Sequence, residues 1–91
     1  MFDRAKFQSV VKDSGLSKRE IATVLGVSHA TVYGWLENRE PGQEHVLRVV
    51  NKAVDALRAA IVRGVLPLSR GLPKEERVRK VAIMANAVQG K

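Results

Sequence analysis

His29, Tyr33, Lys18 and Arg19 are the side chains whose types and spacing could do chemistry in this 91-residue chain. The chemistry they offer is hydrogen bonding and charge pairing rather than bond making. An imidazole can donate to guanine N7 or O6, or to a phosphate. A tyrosine can meet a phosphate, a sugar or a thymine methyl. Two cations at the start of a helix add to backbone N–H groups that already favour an anion. No nucleophile and base stand at a spacing that would let one activate the other, and there is no P-loop and no paired carboxylate motif. The chain is therefore not expected to be an enzyme. The only two histidines, His29 and His45, have no metal-ligand spacing, and there is no cysteine, so neither a metal nor another cofactor is expected.

The elements that must position these groups are two short helices and a tight turn, within residues 16–38. Ser17 and Glu20 have the S-x-x-E spacing of a capping box, which starts a helix. Ile21, Val24 and Leu25 give it an apolar face, and Ala22 lets another helix cross closely. Gly26 stands where the chain must turn, and only glycine enters positive φ cheaply. Val27 can plug the corner. Ser28 can cap the next helix by accepting from Ala30 or Thr31. Val32, Trp35 and Leu36 turn that helix's apolar face inward, leaving His29, Ala30, Tyr33 and Gly34 on its outer face. Trp35 is expected in the core, since four aromatics in all give little support to base stacking along a single strand.

Ile21, Ala22, Leu25, Gly26, Val27, Val32 and Trp35 resemble, in relative spacing, the helix-turn-helix of phage repressors and Cro-like regulators. The resemblance covers residues 16–38 closely and 4–62 loosely. It implies that Lys18 and Arg19 touch phosphates, and that the start of the second helix reads bases. The positions so implied as base contacts are His29, Ala30, Thr31, Tyr33 and Gly34, with Ser28 and Arg39 as further phosphate contacts. One departure stands after that helix. Leu36 separates Trp35 from Glu37-Asn38, and Arg39 occupies a position where the family usually has glycine. Gly34 costs roughly 1 kcal/mol of helix propensity relative to alanine, and close approach to DNA is the expected compensation.

The remaining elements are helices as well. Residues 3–13 form a first helix through Ala5, Phe7, Val10 and Val11, ended by Ser14-Gly15. After a loop with Pro41-Gly42, residues 43–63 carry the longest pattern. Leu47, Val50, Val54, Leu57 and Ile61 repeat in a heptad-like seam, beside a smaller stripe of Val49, Ala53, Ala56 and Ala60. Two stripes suggest that one faces the helix-turn-helix core and the other a second subunit; the alternative is that the five helices of a single chain cover both. Residues 64–73 form an apolar connector broken by Pro67, Gly71 and Pro73, expected to pack on a neighbour or to pair as a short extended piece across a dimer. A last helix starts at Pro73, with Val78, Val81, Ala82, Ala85 and Val88 on one face. The fold class is thus all-α: a five-helix helix-turn-helix domain with a long fourth helix and a C-terminal helix for dimerisation. Leu47, Val50, Val54, Leu57, Ile61, Val78, Val81 and Val88 are the expected dimer contacts. The chain reads as one domain, 1–91, with a head at 1–40 and a helical, basic extension at 43–91.

Net charge is +7, which favours a polyanionic partner. It is unevenly placed: residues 1–40 hold six basic and five acidic side chains, and residues 41–91 hold ten and four. No apolar run approaches the ~20 residues that span a membrane, and the first six residues lack a signal peptide's apolar core. The expected location is the cytoplasm of a bacterium or a phage-infected host, at the nucleoid. The function expected is a sequence-specific transcriptional regulator, a repressor type, bound to double-stranded DNA as a homodimer. Two recognition helices about 34 Å apart would enter successive major grooves of an inverted repeat. The competing readings are an oligomeric DNA-packaging, partition or recombination accessory protein, and an adaptor whose helix-turn-helix meets a protein instead.

Overall fold

Five helices and no strand form the chain over residues 2–90, the part that this computed structural model describes. They are α1 (Arg4–Ser14), α2 (Lys18–Leu25), α3 (His29–Glu37), α4 (Glu44–Val62) and α5 (Lys74–Gln89). Local chemistry sets most of their ends. The Asp3 carboxylate accepts from the Lys6 N–H at 3.0 Å and starts α1. Ser17 and Glu20 form both halves of the capping box: Ser17 Oγ accepts from the Glu20 N–H at 3.1 Å, and Glu20 Oε1 accepts from the Ser17 N–H at 2.8 Å. Ser28 Oγ accepts from the Thr31 N–H at 3.2 Å and starts α3. α2 ends at Gly26, whose φ of 73° brings the Val27 N–H back onto the Ala22 carbonyl at 3.0 Å. An N-cap or capping pair of this kind is worth ~1 kcal/mol, which matters for helices of eight and nine residues that would not persist alone.

The core joins all five helices. Phe7, Val10 and Val11 of α1, Ile21, Val24 and Leu25 of α2, and Val32 and Trp35 of α3 are buried together. Phe7 meets Trp35 edge-on, with ring centroids 6.4 Å apart. α4 lies across α1, and α5 lies along α2. Ser14 is the one buried polar side chain among the described residues. Its hydroxyl donates to the Val11 carbonyl at 2.7 Å and accepts from the Leu16 N–H at 3.2 Å, so its burial leaves nothing unpaired.

The expected dimer seam lies mostly inside one chain. Val50, Val54 and Leu57 of α4 and Val81 and Val88 of α5 are each no more than 6% exposed in the single chain. Leu47 and Ile61 are half-buried at the two ends of the α4 stripe, and Val78 is exposed. The reason is geometric. α1 and α2 have apolar faces wider than α3 alone can cover, so α4 and α5 fold back to cover them. Of the smaller stripe only Ala53 is fully buried; Val49 and Ala60 are half-buried and Ala56 is exposed. On α1, Ala5 is exposed instead of packed. On α5 the buried line is Val81, Ala85 and Val88, and Ala82 faces outward. Pro73 is the N-cap and not the first helical residue; its carbonyl accepts from the Arg77 N–H at 3.0 Å. The connector does pack on its own chain, through Leu66, which is 2% exposed.

Candidate nucleic-acid interface

The capping box and the Gly26 turn bring the start of α2 beside the outer face of α3. Ser17, Lys18, Arg19, His29 and Tyr33 line one open concavity of about 400 Å³. Tyr33 is 46% exposed there, with no part in the core. The Lys18 ammonium lies 5.1 Å from the centre of the Tyr33 ring. A cation over an aromatic face at this distance gains about 0.5–1 kcal/mol at an exposed site. The His29 ring also meets Tyr33, edge-on, with centroids 6.0 Å apart and planes at 76°. One aromatic ring thus holds a cation from α2 and an imidazole from α3 on the same surface. That arrangement can present hydrogen-bond donors to base edges while keeping positive charge against a backbone.

The other sequence-selected residues divide. Ala30 is exposed beside His29 and leaves the helix start open to close approach. Ser28 is exposed, but its oxygen is engaged as the α3 cap. The Thr31 hydroxyl pairs with Ser28 Oγ at 2.8 Å, and Thr31 is half-buried, so it belongs to the cap more than to the reading face. Gly34 is not bare. A Cβ added there would lie 3.1 Å from Arg39 Cδ, so the missing side chain makes room for Arg39. Arg39 itself sits at the far end of α3, away from the concavity with Lys18 and Arg19, its N–H donating to the Gly34 carbonyl at 2.8 Å. The changed loop after Trp35 therefore folds an arginine back over α3.

Four positioning residues escape local sequence reasoning. Arg4 donates through Nε to the Trp35 carbonyl at 3.2 Å and through Nη2 to the Arg39 carbonyl at 2.9 Å. Gln8 donates to the Leu36 carbonyl at 2.6 Å. Together they satisfy the end of α3, which stops at Asn38 with φ of −141° and so lacks the left-handed turn that closes α2. That missing glycine is the available signal, because a helix end without such a turn needs donors from elsewhere. Gln89 of α5 donates to the Thr23 and Val24 carbonyls at 3.1 and 3.0 Å and caps α2 in the same way.

Arg77 of α5 grips the other end of α2. Its Nε lies 2.6 Å from Glu20 Oε2, its Nη2 lies 2.8 Å from Glu20 Oε1, and Nη2 also reaches the Gly15 carbonyl at 3.3 Å. The Arg77 hydrogen bonds hold the Glu20 carboxyl below the usual carboxylate range, against the opposing effect of burial and helped by the Ser17 N–H. The same pairing pushes the Arg77 guanidinium up. A partner 57 residues away leaves no local pattern to read.

Residues 3–47 match the family described as homeodomain-like domain, a segment running from the α1 cap through α3 into the start of α4. No curated protein and no solved structure matches the chain. The match and the two helices joined at Gly26 give residues 3–47, a little under half of the chain, a likeness to helix-turn-helix domains.

Proposed function

We propose that the protein is a sequence-specific double-stranded DNA-binding regulator of the compact, phage-repressor-like kind, working without catalysis or cofactor. The observation that carries this reading is the joint surface of α2 and α3. Lys18, Arg19, His29 and Tyr33 face one concavity, while every large apolar residue of the same two helices is turned inward. In this reading α3 lies in the major groove with His29, Ala30 and Tyr33 toward the bases, and Lys18 and Arg19 pair with phosphates beside it. Repression follows from occupancy of the site, and its location is wherever the DNA is: the nucleoid of a bacterium or of a phage-infected host.

Homodimeric binding to an inverted repeat would have to use apolar residues other than the α4 seam. Val62, Val65, Val78 and Ile83 are exposed and remain for a second copy. A packaging or partition role is the second reading, supported by the exposed Arg48, Lys52, Arg58, Lys74, Arg79 and Lys80 of α4 and α5. Selection from a randomised duplex library at near-physiological salt separates these. Enrichment of an inverted repeat with one-turn spacing supports a dimeric regulator, and a single short site supports binding by one copy. Salt-sensitive binding without enrichment supports the packaging role. No binding of duplex overturns the proposal.

A further inference from the structure

We propose that Arg77, which lies outside the matched homeodomain-like segment, is a positioning residue for DNA binding. The inference rests on the DNA-binding reading above. Arg77 does not line the α2–α3 concavity, yet it is connected to that surface by an unbroken series of contacts. Its guanidinium holds both oxygens of Glu20. Glu20 Oε1 in turn accepts from the Ser17 N–H, and Ser17 immediately precedes Lys18. Lys18 rests over Tyr33 of α3. The fork of Arg77 therefore fixes where α2 begins, and with it where Lys18 stands relative to the recognition helix.

The rest of α5 makes this a grip and not an isolated pair. Gln89 holds the carbonyls at the opposite end of α2, and Val81, Ala85 and Val88 are buried between the two contacts. Two polar contacts at the ends and an apolar line between them leave α2 no freedom to slide along α5. Only arginine presents two parallel N–H donors in a rigid plane; a lysine keeps the charge and loses the fork. The positioning role and a general attraction of DNA to positive charge therefore make opposite predictions for Arg77→Lys.

The test uses the full chain and a duplex enriched in the library selection, with affinity read by fluorescence anisotropy over a range of salt. Arg77→Lys is expected to weaken binding about fivefold and to lower the salt slope by about one unit, as loss of one ordered phosphate contact does. In a Lys18→Ala background the same substitution is expected to change affinity less than twofold, since the contact it positions is already gone. Gln89→Ala, which frees only the far end of α2, is expected to leave the slope unchanged. If Arg77→Lys is unfolded at the assay temperature, Glu20→Gln serves instead, because its amide oxygen can still accept from Ser17 while the ion pair is lost. Wild-type affinity and slope in the variant, or equal losses with and without Lys18, would overturn the positioning role and leave the DNA-binding reading intact. Failure of the unmodified protein to bind any duplex would overturn both.

Discussion

Gly26→Ala tests whether the turn of the helix-turn-helix and the last helix are coupled. Two separate costs arise at this position. The first is backbone strain, because φ is 73° and a non-glycine residue in the left-handed region loses about 1–2 kcal/mol. The second is contact with α5. A Cβ on residue 26 would lie 3.0 Å from Gln89 Oε1 and 3.1 Å from its carbonyl carbon. The glutamine is flexible and can swing away, so this contact cannot cost more than the two hydrogen bonds that hold it, about 1 kcal/mol net for the pair at a partly exposed helix end. Alanine recovers about 0.5 kcal/mol by restricting the unfolded chain. The balance is a loss of about 2 kcal/mol, read as a shift of the urea midpoint at constant slope. Gln89→Ala removes the second cost in advance, so in that background Gly26→Ala should lose only about 1 kcal/mol. A double-mutant cycle thus has an expected coupling of about 1 kcal/mol. A coupling near zero would refute the contact between the turn and α5, whatever the single losses are.

Lys18→Ala should weaken binding to all duplexes alike and reduce the salt slope by about one unit, measured by anisotropy at several ionic strengths. Leu57→Ala should cost about 2–5 kcal/mol in urea unfolding, since that side chain is 3% exposed inside a single chain and cannot be replaced by a partner. Gly34→Ala should stabilise the free protein by up to about 1 kcal/mol of helix propensity. Its condition is that Arg39 Cδ, 3.1 Å from the new Cβ, moves aside; a lower melting temperature would mean that Arg39 is held. Glu20 gives a pH dependence of known sign. Its folded pKa is below the unfolded value, so its contribution to stability is full above the ordinary carboxylate range and is lost as pH falls through the depressed folded pKa. Acid titration of the melting temperature should show a shallower decline in this range for Arg77→Met, which removes the main cause of the shift.

The parts of this fold that depend on neighbouring residues were readable from their order in the chain. Ser17 with Glu20, Ser28 with the α3 start, and Gly26 at the turn act within three to five residues, and each has one stereochemical solution. The concavity residues were readable for the same reason, since burial of Val32 and Trp35 determines where His29 and Tyr33 must face. Thr31 could have been assigned to the cap, because it stands three residues after Ser28, within reach of its oxygen. Periodicity was less informative for α4. A repeat of Val50, Val54 and Leu57 shows which face is apolar and is silent on whether the cover comes from the same chain or another. Arg77 and Gln89 were hidden for a different reason. They contact α2 across 57 to 66 residues, and a charged or amide side chain on a helix carries no mark of such a partner.

The pairing of α2 with α5 also has a consequence for synthesis. Lys74 follows Leu25 by 49 positions in the chain. At elongation rates of about 5–20 residues per second, the first helix of the motif waits roughly 2.5–10 s for the start of the helix that covers it. During that interval α1, α2 and α3 have all been made, but α2 lacks the helix that packs along it, and the Thr23 and Val24 carbonyls lack their amide donor. A nascent chain at this stage presents an apolar surface to chaperones and to other nascent chains before it presents an ordered surface to DNA. The interval ends only when α5 emerges, so the proposed binding surface is completed late in translation even though the residues proposed to meet DNA are among the first to be joined.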